Sequence, residues 1–283
     1  MQSVESALDQ WIPLNAPEDL GSAMRYAVLG GGKRLRPLLA LAACESVSGN
    51  AQGALRAACA LELIHAYSLV HDDMPCMDND VLRRGKATVH VKYGQAMALL
   101  SGDALQALAF ELLTPLGSDI PDAMQAKLCA LLARAAGEQG MAGGQAIDLA
   151  SVGRVLDEPS LKKMHELKTG ALLQASVMMG AACGAATAAQ TQELANFGRA
   201  IGLAFQVIDD ILDVTADSAT LGKTAGKDAQ AGKPTYVSIL GMARSREYVE
   251  RLYTQAMQAL AGSGLVHTDA LRALADSVVQ RSH

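Results

Sequence analysis

The chain has 283 residues, half of them apolar and only 4% aromatic, with a formal net charge of −5. That length is ample to bury a substantial core, and the acidic balance argues against nucleic acid as the main partner, since such binders carry a broad excess of Lys and Arg. Cys44, Cys59, Cys76, Cys129 and Cys183 are odd in number, widely spaced and without a C-x-x-C pair. Neither a disulfide framework nor a zinc site is expected, and reduced thiols in a cytoplasmic protein fit this pattern.

From the N-terminus, Met1-Gln2-Ser3-Val4-Glu5-Ser6 lacks a basic n-region followed by an apolar h-region, so no secretory signal is expected. Long tracts rich in Ala, Leu, Met, Gln and Glu then favour helix, and strictly alternating β-branched runs are hard to find. The predicted fold class is all-α, as a single domain over 1–283. The longest weakly polar stretch, 169–189, is mostly Ala, Gly and Met and includes Gln174 and Ser176. It is expected as a buried helix and not as a membrane span.

The first candidate anion-binding segment is Gly30-Gly31-Gly32-Lys33-Arg34-Leu35-Arg36-Pro37, a flexible turn feeding basic residues into a helix whose first turn suits Pro37. It lacks the spacing of a nucleotide P-loop. From about Gln52 an apolar helical pattern runs to Met74, where Pro75 ends it. Asp72, Asp73 and Asp78 therefore fall at a helix C-terminus, where the dipole repels carboxylates and a bound cation is the better explanation. His65 lies seven residues before Asp72, on the same side of that helix. Arg83 and Arg84 follow the cluster.

Farther on, Lys168 and Thr169 sit in a segment expected to be helical. Gln206, Asp209, Asp210 and Asp213 are spaced by threes and fours, which places them on one helix face, at a cost unless a cation neutralises them. Lys223, Lys227 and Lys233 then occupy a Gly-rich segment. Two acidic clusters beside cations suit Mg²⁺ joining carboxylates to a pyrophosphate, because Mg²⁺ takes oxygen ligands and retains waters.

These motifs, in this order and over nearly the whole chain, resemble the trans-isoprenyl diphosphate synthases, most of all the bacterial farnesyl diphosphate synthases. The matching residues run from Gly31-Gly32-Lys33-Arg34-Leu35-Arg36-Pro37 and the segment from His65 to Asp78 through Leu82-Arg83-Arg84-Gly85, Gly102-Asp103-Ala104-Leu105 and Lys168-Thr169-Gly170. They end with Phe205-Gln206, Asp209-Asp210-Ile211-Leu212-Asp213, Gly222-Lys223 and Gly232-Lys233. The resemblance implies an all-α bundle around a deep central cavity, usually a homodimer. It also implies about three Mg²⁺ ions per site with the allylic diphosphate bound.

By the same resemblance Asp72, Asp78 and Asp209 are the metal ligands, supported by Asp73, Asp210 and Asp213. Arg83, Lys168, Thr169, Gln206, Lys223 and Lys233 would hold dimethylallyl or geranyl diphosphate. Lys33, Arg36, His65 and Arg84 would hold isopentenyl diphosphate. The implied reaction ionises the allylic substrate and joins it to isopentenyl diphosphate, with no side-chain nucleophile. Helical spacing puts Ser68 more directly below Asp72 than Tyr67, but the family uses the fifth position upstream as a floor. The aromatic Tyr67, together with Pro75 and Cys76 inserted between the aspartates, is similar to synthases that stop at farnesyl diphosphate. Geranylgeranyl or geranyl diphosphate synthase is the alternative, with a terpene cyclase or a non-catalytic partner subunit as more distant readings. Arg281-Ser282-His283 departs from the more basic tail of the family.

Overall fold

In a computed structural model that describes residues 1–118, 120–154, 156–215 and 233–280, nearly every element is helical. The N-terminal half carries α1 (Gln2–Trp11), α2 (Leu20–Val28), α3 (Leu35–Ser46), α4 (Ala51–Asp72), α5 (Val89–Tyr93), α6 (Gln95–Leu113) and α7 (Asp122–Ala136). Then follow α8 (Met141–Ser151), α9 (Glu158–His165), α10 (Ala171–Ala182), α11 (Ala188–Thr215), α12 (Tyr236–Leu240), α13 (Met242–Gly262) and α14 (Asp269–Val279). Lys223, Lys227 and Arg281-Ser282-His283 lie outside the described residues.

The central helix is α4. The Asn50 side chain accepts a hydrogen bond from Gly53 N at 2.8 Å, satisfying one of the free amides of the first turn. Ala57, Ala58, Cys59, Ala60, Leu61, Leu63 and Ile64 are fully buried, and a helix apolar all round must be enclosed by others. Here α3, α6 and α10 enclose it. Each fully buried Leu or Ile contributes about 1.5–3 kcal/mol, so this seam anchors the fold. A second apolar cluster gathers α11, α13 and α14 against α3 and α10. By length and composition both α4 and α6 could cross a membrane; α4 is largely enclosed, whereas α6 leaves Leu99 and Leu100 about half exposed.

Three local details differ from the sequence expectation. Helix α4 ends at Asp72, two residues early, because the chain folds back on its terminus: Asp78 N donates to Asp72 O at 2.8 Å and Asp80 N to Asp73 O at 3.1 Å. These bonds take up carbonyls left free by the helix end. Next, a short hairpin pairs β1 (Leu82–Arg83) with β2 (Lys86–Ala87). Its two-residue turn has φ of 52° at Arg84 and 74° at Gly85, the double positive φ that suits the twist of paired strands. Finally, Lys168 and Thr169 lie in a π-helical turn (Glu166–Gly170) joining α9 to α10, a distortion common at functional sites.

Candidate active site

The loop after α4 brings Asp72 and Asp78 together. Burial pushes the Asp72 carboxyl up to about 6; Lys168 opposes that rise, while Asp78 adds to it. Asp73 is paired with Arg83. Its buried carboxylate receives Arg83 Nε at 3.0 Å on one oxygen and 2.8 Å on the other, and this pairing raises the Arg83 pKa against the opposing effect of burial.

The π turn and α11 form the facing side. Lys233 Nζ reaches Asp78 Oδ1 at 2.9 Å, across 155 positions of sequence, and so joins the two halves. Thr169 donates to Gln206 Oε1 at 2.8 Å, and Gln206 Nε2 donates to Asp210 Oδ1 at 2.9 Å. Tyr236 N, at the start of α12, donates to Asp210 Oδ2 at 2.8 Å. Asp210 is thus buried and engaged by backbone and amide. Asp213 is buried, whereas Asp209 is only half-buried, so the four polar positions of this helix share a side but not an environment.

A second basic group lies nearby. Burial lowers the Arg36 pKa, with Glu62 and Asp209 opposing that shift, and its buried Nε finds no hydrogen-bond partner among the described residues. Burial, then Arg36 and Arg84, hold His65 neutral, its pKa well below the ordinary range. Lys33 and Arg84 are exposed. Arg84 donates to the Gly31 carbonyl, and a Cβ at Gly32 would lie 2.9 Å from its guanidinium; glycine permits that close approach. Arg34 behaves differently from its neighbours. Only 3% exposed, it bonds Glu62 and Glu5 at 2.6 Å each and the Val28 carbonyl at 2.8 Å, so it is a buried structural cation.

Tyr67 and Ser68 are both half-buried. The Tyr67 ring meets His71 edge-on at 5.7 Å, and the Ser68 hydroxyl donates back to the His65 carbonyl at 2.9 Å.

Sequence reasoning missed two side chains on α8. Asp148 is 5% exposed and accepts from Lys168 Nζ at 2.5 Å. Three residues earlier, the buried amide of Gln145 has no partner for either its oxygen or its nitrogen among the described residues. The available signal was a Gln and an Asp at i and i+3 in Gly144-Gln145-Ala146-Ile147-Asp148, a polar face on an otherwise apolar helix.

Among the described residues no group of three or more His, Cys, Asp or Glu side chains converges as a ready metal cage. The donors nonetheless fit Mg²⁺. They are carboxylate oxygens, Asp72 is held partly buried beside another carboxylate, and Mg²⁺ ordinarily binds through one or two carboxylates, waters and substrate phosphates.

A model of the polyprenyl synthetase family matches residues 17–264. The chain is 47% identical over 285 aligned positions to geranylgeranyl pyrophosphate synthase 4 of Arabidopsis thaliana, covering 100% of this chain and 76% of that protein. Among solved structures, an FPP/GFPP synthase from Zymomonas mobilis superposes with a TM-score of 0.87 at 42% identity, covering 98% of this chain and 95% of that one. A geranyltransferase from Helicobacter pylori, complexed with magnesium and isoprenyl diphosphate, superposes with a TM-score of 0.88 at 34% identity, covering 99% and 95%.

Proposed function

From the premise that this chain belongs to the polyprenyl synthetase family and is a trans-prenyltransferase, we propose that it condenses isopentenyl diphosphate with allylic diphosphates and ends at geranylgeranyl diphosphate. The observation that carries the two-substrate reading is the presence of two separate basic groups beside one acidic pair. Lys168 and Lys233 lie near Asp72 and Asp78, while Arg36 and Arg84 lie around His65. A cation group for each diphosphate is what joining two anionic substrates requires.

In this reading Asp72, Asp78 and Asp209 would hold Mg²⁺, which supplies charge neutralisation to the departing diphosphate. Lys168, Lys233 and Thr169 bind the allylic diphosphate on the same side. Arg83, ordered by Asp73, stands at its edge, and Gln206 fixes the Thr169 hydroxyl. Together they stabilise negative charge as it gathers on the leaving group, so the allylic carbon ionises. Arg36, Lys33 and Arg84 hold isopentenyl diphosphate, and neutral His65 donates a hydrogen bond without adding to the crowded positive charge. The double bond of that substrate attacks the allylic cation. The departing diphosphate then takes the proton, so no side-chain base is needed.

Product length is the finer part of the proposal. The twenty-carbon reading is supported by relatives 45% and 47% identical that are named geranylgeranyl pyrophosphate synthases. Tyr67 supports a second reading, farnesyl diphosphate, because an aromatic ring under Asp72 would shorten the space. Incubation with isopentenyl diphosphate and each allylic starter decides. Extension of farnesyl diphosphate to twenty carbons supports the first reading, and accumulation at fifteen carbons the second. We further propose that the half-exposed Leu99 and Leu100 of α6 are covered by a second copy, as a homodimer in the cytoplasm.

A further inference from the structure

We propose that Asp148 is a positioning residue of the diphosphate site, holding the ammonium groups of Lys168 and Lys233 together beside Asp72 and Asp78. This rests on the reading of both lysines as ligands of the allylic diphosphate.

The geometry is that of a shared counter-ion. Asp148 Oδ2 lies 2.5 Å from Lys168 Nζ and 4.0 Å from Lys233 Nζ, and its side chain is only 7% exposed, against 25% and 19% for the two lysines. The carboxylate is therefore the fixed partner, and the lysines reach toward solvent from it. Lys233 also touches Asp78 at 2.9 Å, so one chain of contacts runs from Asp148 on α8 through Lys233 to the first aspartate cluster, with Lys168 held on the same carboxylate.

Backbone packing sets this contact. A Cβ at Gly144 would lie 2.1 Å from Lys168 N, so α8 rests directly on the π turn, and only glycine allows that approach. Asp148 comes one helical turn after Gly144, on the same face. Glycine brings the helix in, and the carboxylate then meets the ammonium emerging from the turn. A lysine side chain has many rotamers to lose when it binds an anion. Ordering two of them beforehand lets their charge act on the leaving group without reorganisation.

The test uses the full chain and its Asp148→Asn variant, which keeps the side-chain shape. Calorimetry measures binding of inorganic pyrophosphate in the presence of Mg²⁺, and steady-state kinetics give KM for geranyl and for isopentenyl diphosphate. The expected result is pyrophosphate binding weaker by about tenfold or more and a similar rise in the allylic KM, with the isopentenyl KM within about twofold. In a Lys168→Ala background the same substitution is expected to cost less than in the wild type, because only Lys233 is left for Asp148 to hold. Unchanged pyrophosphate affinity, or equal losses for both substrates, overturns the proposal. If Asp148→Asn does not fold, Asp148→Glu keeps the charge but displaces it by a methylene, and must show the same selective loss. Should the wild-type chain fail to consume isopentenyl diphosphate, the prenyltransferase reading falls, while the pyrophosphate comparison still judges Asp148.

Discussion

Asp73 and Arg83 face each other in a forked pair, the arginine Nε lying 3.0 and 2.8 Å from the two carboxylate oxygens. Asp72, its chain neighbour, instead lies close enough to Asp78 to be influenced by it. Adjacent aspartates of one motif therefore have different duties, and their substitutions separate. Asp72→Ala is expected to lower turnover by orders of magnitude and leave the fold intact. Asp73→Asn leaves a partly buried guanidinium without its counter-ion, costing about 2–3 kcal/mol and lowering Tm by roughly 5–10 °C. Circular dichroism melts beside product assays check both; near-normal rates for Asp72→Ala with Mg²⁺ would contradict its assignment.

Arg34 and Arg36 make a second contrasting pair. Arg34 is consumed by Glu5 and Glu62, so Arg34→Ala strands a buried carboxylate and costs about 3–5 kcal/mol. Arg36 has a buried Nε with no partner among the described residues and awaits an anion. Arg36→Ala is expected to keep its denaturant midpoint near that of the wild type and raise the isopentenyl diphosphate KM by at least about tenfold. Equal effects on both variants would show that the two arginines are not divided in this way.

His165 is a buried neutral base. It is 6% exposed, stacks on Tyr236 at 5.6 Å and has Asp210 at 3.9 Å. Burial lowers its pKa from 6.5 to about 4, with Asp148 opposing and Lys168 adding to the shift. A depressed histidine pKa means that the unfolded chain binds the extra proton first. Stability is therefore fully present above pH 6.5 and falls as pH drops from 6.5 toward 4. This contribution is at most about 3 kcal/mol. His165→Gln should flatten that part of the profile, as measured by urea unfolding across the range; an unchanged slope would refute it.

Tyr67 offers a readout of product length. If its ring, set edge-on against His71, forms the floor below Asp72, Tyr67→Ala shifts products toward longer chains, which chromatography detects. An unchanged product distribution would move the floor elsewhere.

Much of this site was legible without coordinates because its chemistry is written in charge. Acidic pairs ending apolar helices, and basic residues beside glycines, are costly as decoration and so stand out. The dual use of such residues was not legible. Arg34 looks like Arg36 in the sequence, and Asp73 like Asp72, because a residue's type does not reveal whether its partner lies inside the protein. Asp148 was missed for the complementary reason: with Gln145 it marks a polar face on α8, but that face has no evident task until the lysine that meets it is known.

By itself, then, the sequence determined the helical class, through strong helix formers and apolar periodicity, and the acidic and basic inventory that suits a diphosphate. Those are properties of local composition and spacing. Tertiary structure alone decided which charges neutralise one another. The pairing of Lys233 with Asp78 spans 155 positions, and the approach of Asp148 to Lys168 depends on a glycine that lets one helix rest on the backbone of another. Electrostatic partnership depends on distance and burial, which only packing sets.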